Sequence, residues 1–334
     1  MKNKMQQIRV MNGEYKGQMV SNAVFTCFED CSQDGYMVVN GDRWGKGKVR
    51  VRIDAGNFEF LSTGIEHQIA PVAAQNNETD EQTLDRLKAR FEILDEMSQA
   101  AIAGNIRALI LQGPPGIGKS HGVVTQMQKS SMFDDIAGRP PRYEVVKGFM
   151  TPISLYCKLY SHSDPGHVLV FDDCDSILED EESLNVLKAA LDSSKSRRVF
   201  WGSDSKMLRR EGVPDSFDFR GTVIFITNQK LDGGQRDSKR AAHLNALQSR
   251  CHFLDLKMNS VRECLIWIKH VVSSGRMLEE YGLNKSQADD IVEFMYANQT
   301  QLRELSLRMA VKIADLVKIS TNWQNLARAT CMRG

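Results

Sequence analysis

The residues able to do chemistry in this 334-residue chain lie in two short stretches. The first reads Gly113-Pro114-Pro115-Gly116-Ile117-Gly118-Lys119-Ser120-His121. Up to Ser120 it fits G-x-x-x-x-G-K-[ST], a turn whose glycines let backbone N–H groups point inward around a polyphosphate. The N-terminus of a following helix adds positive potential there. Lys119 is placed to reach the β- and γ-phosphates of a nucleotide, and Ser120 to offer its hydroxyl to Mg2+. The second stretch is His167-Val168-Leu169-Val170-Phe171-Asp172-Asp173, an apolar run ending in two carboxylates. At a strand tip facing the phosphate loop, one acid can hold the water shell of the metal and the other can polarise the attacking water. We assign Asp172 to the metal and Asp173 to the water.

Such groups need elements behind them. Ala108-Leu109-Ile110-Leu111 reads as a buried strand feeding the loop, and residues 121–128 can start a helix. Leu84, Leu87, Phe91, Leu94 and Met97 recur at helical steps and give an amphipathic helix before that strand. Residues 143–146 suit a strand and 152–160 a helix. Thr222-Val223-Ile224-Phe225-Ile226-Thr227 is another apolar strand, ending at Asn228, and Arg250 stands just before a further one. Strands alternating with helices predict an α/β core with a parallel sheet.

The order of these motifs resembles the AAA+ ATPase family over about residues 85–320. Asp172-Asp173-Cys174-Asp175 is similar to the Asp-Glu-Ala-Asp box of clamp loaders, and Ser249-Arg250-Cys251 to their Ser-Arg-Cys motif. The resemblance implies ATP and Mg2+ as ligands. It implies that Asn228 is the first sensor, orienting water, and that Arg250 is an arginine finger serving a neighbouring subunit's site. In GTPases such a finger is worth about 10³–10⁵ in rate. Gln301-Leu302-Arg303-Glu304-Leu305 resembles the second-sensor pattern, which makes Arg303 the contact to the γ-phosphate, with Arg308 as a substitute. The family usually carries Glu where this chain has Asp173, so the carboxylate is one methylene shorter. A homo-oligomer follows from the resemblance, with a hexameric ring favoured.

Four segments are expected: a small β-barrel over 1–70, a linker over 71–82, the core over 83–258 and a helical lid over 259–334. In the first, Lys48-Val49-Arg50-Val51-Arg52-Ile53 alternates, and Asn12-Gly13, Asp34-Gly35, Asn40-Gly41 and Ala55-Gly56-Asn57 are turn signals. Residues 8–20 resemble the KOW motif of SH3-like barrels, which implies docking of RNA or protein. Arg43, Trp44, Lys46, Lys48, Arg50 and Arg52 read either as a phosphate-binding face with a stacking residue or as a solvated strand face with a half-buried Trp. Thr79 and Gln82 suit a cap for the next helix. In the lid, three helices are striped by Val261, Leu265, Ile268 and Val271, then Ala288, Ile291 and Met295, then Leu302, Leu305, Met309, Ile313 and Leu316.

Residues 195–220 are basic, with Phe200, Trp201, Phe217 and Phe219 among the cations. They read equally as a loop gripping a nucleic acid and as a flap packed by its aromatics. Residues 198–201 suit an added strand and 208–213 a turn. The formal net charge of +1 excludes a global electrostatic case for nucleic acid. No run reaches the roughly 18–20 apolar residues of a membrane helix. Seven scattered cysteines suit a reducing compartment, and Cys27 with Cys31 read as ordinary thiols. The expected location is cytoplasmic, the host cytoplasm if the source is viral, and the architecture resembles a phage-type protein. Three activities stand open: remodelling or translocation of nucleic acid, remodelling of protein with the barrel as adaptor, and a nucleotide-switched binding module with weak hydrolysis. The aromatic-Val-Gly loop of protein-remodelling relatives is not evident, which weighs against the second.

Overall fold

The computed structural model describes residues 6–31, 35–41, 44, 47–53, 58–61, 78–231 and 239–333. It comprises two compact units, Met1–Asn77 and Glu78–Gly334.

The first unit holds β1 (Gln6–Tyr15), β2 (Gln18–Cys31), β3 (Tyr36–Asn40), β4 (Lys48–Arg52) and β5 (Phe58–Leu61). All pairings are antiparallel in the order β2-β3-β4-β1-β5, and β1 also pairs with β2. The sheet therefore curls back on itself around Ile8, Val10, Met37, Val39, Val51 and Ile53. Lys16 and Gly17, both at positive φ, make the two-residue turn between β1 and β2. Asn12-Gly13 is not a turn. Gly13 lies within β1, where a Cβ would stand 2.9 Å from the carbonyl oxygen of Arg52. Glycine here serves the close approach of β4 rather than a reversal. Asp34, Arg43, Lys46 and Ala55-Gly56-Asn57 lie outside the described residues.

The second unit begins with α1 (Asp80–Ile102), capped by the reciprocal Thr79–Gln82 box. Asp80, Glu81 and Gln82, expected in the linker, are its first turn, because the cap starts the helix there. There follow β6 (Ala108–Gln112), α2 (Lys119–Ile136), β7 (Tyr143–Lys147), α3 (Pro152–Ser161), β8 (Val168–Asp172), α4 (Ser176–Glu179), α5 (Glu181–Ala190), β9 (Arg198–Phe200), α6 (Lys206–Glu211), β10 (Ser216–Asp218), β11 (Thr222–Thr227), α7 (Lys239–Gln248) and β12 (His252–Asp255). Then come α8 (Val261–Lys269), α9 (Lys285–Ala297), α10 (Leu307–Ile319) and α11 (Trp323–Cys331).

The sheet is parallel throughout, in the order β12-β6-β11-β8-β7. Every residue of β6, β8 and β11 is buried, as expected for strands covered on both faces. Apolar side chains of α3, α5 and α7 pack one face, and those of α1 and α2 the other. Inserting β11 between β6 and β8 has a consequence for chemistry. Asn228, the residue after β11, falls between the phosphate loop after β6 and the acids ending β8.

Two local expectations are corrected. Residues 206–211 are a short helix rather than a turn, capped by the Ser205 hydroxyl and ended by Gly212 in the left-handed conformation. The third lid helix begins only at Leu307, because Ser306 caps it by accepting from the Met309 N–H. Leu302 instead bridges Met332 at the end of α11, a helix the apolar stripes did not reveal. No helix among the described residues is long and apolar enough to cross a membrane.

Candidate nucleotide site

The loop after β6 turns through Gly116 and Gly118, both at positive φ. Gly116 is doubly constrained, since a Cβ would also stand 2.8 Å from that of Ser306. The Gly116 carbonyl accepts from the Leu307 N–H at 2.8 Å and the Ile117 carbonyl from Trp267 Nε1 at 2.9 Å. Helices α8 and α10 thereby grip the loop. The N-termini of α2 and α10 both approach the same space, and a helix N-terminus favours an anion.

Lys119 is 5% exposed. Its Nζ donates to the carbonyls of Gly113 at 2.7 Å and Pro114 at 2.8 Å, and to Asn228 Oδ1 at 2.8 Å. Burial pulls its pKa down to about 8, against the pull of the Asp173 and Asp172 charges. Asn228 Nδ2 in turn donates to Asp173 Oδ1 at 2.9 Å. Ser120 Oγ donates to Asp172 Oδ1 at 2.7 Å, and Lys147 Nζ lies 3.0 Å from Asp172 Oδ2. Lysine, amide, two acids and hydroxyl thus meet at the tips of β6, β8 and β11, with a second lysine from the tip of β7.

Asp173 has φ +54°. Asp adopts this left-handed region more readily than most residues, and such backbones cost about 1–3 kcal/mol. The conformation sets its carboxylate on Asn228. Burial, then the neighbouring Asp172 charge, pushes its pKa above the ordinary carboxylate range, while Lys119 and Arg308 work the other way. The third acid of the stretch, Asp175, accepts from Thr227 Oγ1 at 2.8 Å and braces β11 against β8.

The loop opens on a cavity of about 480 Å³. Its lining includes the polar groups of Lys119, Ser120, Asp172, Asp173 and Asn228 and the apolar side chains of Phe91, Trp267, Met277 and Tyr281. Phe91 and Trp267 stack at 3.9 Å between ring centroids. Polar groups for a polyphosphate and an aromatic surface for a base are what a nucleotide's two halves require. Mg2+ takes hard oxygens, one or two from protein and the rest from phosphate and water. The Ser120 hydroxyl and the Asp172 carboxylate, already bonded to each other, fit that demand.

No family model matches the chain. A protein of enterobacteria phage T4, described as an uncharacterized 36.7 kDa protein in the nrdC-mobD intergenic region, is 32% identical over 328 residues, covering 97% of each chain. The chain belongs to that phage protein's family. Among solved structures it is similar to NtrX from Brucella abortus in complex with ADP, at 14% identity and a TM-score of 0.43 over 75% of this chain and 54% of that one. The ATP complex of NtrX gives 16% identity and a TM-score of 0.38 over 65% and 49%. The chain spans about half the length of those structures.

In this member of the phage family the remaining expected residues are dispersed. His121 lines the cavity beside Ser120, whereas Pro115 is exposed and Pro114 contributes only its carbonyl. Arg250 follows α7 and does not line the cavity. Its Nη1 donates to the Ala246 carbonyl at 2.6 Å and its Nη2 lies 3.5 Å from Asp192. Arg303 does not line the cavity. Its Nε donates to the Met332 carbonyl at 2.9 Å, because residues 301–305 form the connector into α10 rather than helix. Arg308, in the first turn of α10, lines the cavity instead. The signal for this was the Ser306 cap, which starts the helix late enough to aim Arg308 at the phosphate loop.

Sequence reasoning also missed Lys147 and Phe149. Lys147 is paired in register with Asp172 across β7 and β8, a relation only the sheet order reveals. Phe149, two residues beyond the same strand tip, is 82% exposed. In the basic segment, Phe217 and Phe219 are buried in the core and Phe200 is exposed. Arg197 lies against Phe219 and donates to the Gly221 carbonyl, and burial pulls its pKa down to about 10. Arg209 pairs with Asp204, and Arg210 with Glu211.

Proposed function

We propose that this protein is a Mg2+-dependent ATPase of the AAA+ type, working as a ring of six copies on a polymer. The observation that carries the reading is the unbroken run Lys119–Asn228–Asp173 beside the Ser120–Asp172 pair, all at adjacent strand tips. Lys119 binds the β- and γ-phosphates by exchanging loop carbonyls for phosphate oxygens. Ser120 and Asp172 would hold Mg2+, which would supply neutralising charge to the phosphates. Asn228 and Asp173 hold and orient the attacking water, and Asp173 draws its proton. The left-handed backbone at Asp173 compensates for the missing methylene by carrying the carboxylate to Asn228. Arg308 serves the nucleotide of its own chain. Arg250, outside that cavity, serves the nucleotide of the next.

The polymer proposed first is nucleic acid, contacted through the basic segment 195–220. A protein polymer is the second reading, favoured by Phe149. An exposed aromatic after Gly148 at a strand tip is the kind of grip that the sequence did not reveal. The test is ATP hydrolysis by the sized assembly with and without single-stranded DNA, RNA and unfolded protein. Stimulation by a polynucleotide supports the first reading and stimulation by unfolded protein the second. Full hydrolysis by an isolated monomer overturns the role of Arg250.

A further inference from the structure

We infer that the outer face of β4 is a binding surface for single-stranded nucleic acid, separate from the basic segment of the core. The strand alternates strictly. Val49 and Val51 are buried, while Lys48, Arg50 and Arg52 are exposed. Residues two apart on one strand face stand about 6–7 Å from each other. Three cations thus form an evenly spaced row along one strand edge to edge. Two of these charges lie against rings, while Arg52 stands across from Glu14 on β1. Lys48 Nζ lies 4.5 Å from the Phe28 ring centroid, and the Arg50 guanidinium lies 4.9 Å from that of Tyr36. Tyr36 and Phe28 are themselves partly exposed.

Acidic residues stand in register with the row on both sides. Glu14 stands across from Arg52 in register, and Glu29 stands on β2 across from Val38. Of the two readings of Trp44, a stacking residue or a half-buried one, the structure has the half-buried one. It packs on the sheet's core against Tyr15 and Phe25 at 4.5 and 5.6 Å. The face therefore offers regularly spaced cations, planar guanidinium groups and two aromatic rings. A flexible polyanion with exposed π-faces uses all three: phosphates pair with the row, and bases stack on rings or guanidinium planes. An acidic protein uses only the first.

The inference goes beyond the ATPase reading, and its test runs without nucleotide so that the two fail separately. The full chain is titrated into fluorescent dT30 and U30 oligonucleotides at several salt concentrations, and anisotropy is read. The variant carries Lys48→Gln, Arg50→Gln and Arg52→Gln. Its affinity is expected to fall about ten-fold or more, and the slope of log K against log salt by roughly 2, about 0.7 for each lost phosphate contact. The charge-preserving set Lys48→Arg, Arg50→Lys and Arg52→Lys keeps the slope. Should the triple variant lose its cooperative melting transition, Arg50→Gln alone is read, with a slope change of roughly 0.7. Comparison of dT30 with U30 separates DNA from RNA as the preferred strand. Wild-type slope in the folded variants overturns the inference. So does binding to polyglutamate as tight as binding to the oligonucleotides.

Discussion

The strand-tip site and the basic segment are both rich in charge, yet they spend it differently. At the strand tips the bonds span long stretches of chain. Lys119 reaches Asn228 across 109 residues, and Ser120 reaches Asp172 across 52. None of these contacts exists until the sheet has formed, so the fold itself sets their geometry. In the segment 195–220 the pairs are local: Arg209 with Asp204 and Arg210 with Glu211. Those pairs are exposed and need no tertiary structure. Long-range bonds at the strand tips fix these groups only through the fold. Local exposed pairs mark a surface whose charges are already answered, and surface pairs are worth about 0–1 kcal/mol.

The comparison breaks most readily at the strand tips. Asp173→Asn keeps the hydrogen bond to Asn228 by size but removes the base. Hydrolysis by the assembly is expected to fall about 10²–10⁴-fold with nucleotide binding retained; a fall below ten-fold would show that the water is held elsewhere. Next in size is Arg308→Ala, which should weaken ATP binding about ten-fold or more, the worth of a charge-assisted hydrogen bond. Arg303→Ala serves as its control. Removing a donor to the Met332 carbonyl should lower stability by about 1 kcal/mol and leave ATP affinity unchanged, measured by urea melts and by titration calorimetry. An affinity loss in Arg303→Ala matching that of Arg308→Ala would return the role to Arg303.

The pH profile sharpens the same picture. Asp173 must be ionised to take a proton, and burial raises its pKa, so the acid limb of kcat/KM should lie above the ordinary carboxylate range. Lys119 must be charged to bind phosphates, so the basic limb should fall through about 8. The sign for stability is the reverse. Between about 8 and the ordinary value of 10.5 the unfolded chain holds a proton on this lysine that the folded chain has lost. Its contribution to stability therefore rises with pH across that window. Lys119→Met should remove both the basic limb and this rise, checked by pH-dependent binding and melting.

How much of this was legible follows the same division. The phosphate loop, the strand ending in Asp172 and Asp173, and Asn228 each carry their meaning within a few residues, and they meet in the structure. The sheet order that brings Lys147 beside Asp172 leaves no local mark. Gly13 looked like a turn because glycine answers two needs, a reversal and a close approach, and only the partner strand tells which. Arg303 and Arg308 lie on one continuous apolar pattern. The pattern did not reveal that Ser306 starts the helix between them. Helix α11 escaped because its buried residues are few, Ala327 and Cys331 among them.

The smallest expected effect lies in the basic segment. Arg210 is exposed and bonded to the adjacent Glu211, so Arg210→Ala should change stability by no more than about 0.5 kcal/mol. A contact whose removal costs so little is easily exchanged for another. If segment 195–220 grips a polynucleotide, Glu211 releases Arg210 to a phosphate, and the loss appears only when the polymer is present. Polynucleotide-stimulated hydrolysis should then fall while unstimulated hydrolysis and melting temperature stay at wild-type values. Arg197→Ala makes the contrast. That guanidinium bonds the Gly221 carbonyl at the approach to β11, so its removal should lower melting temperature first. Equal behaviour of the two variants would mean that exposed and buried cations in this segment do the same structural work, and the division between held and answered charges would not extend to it.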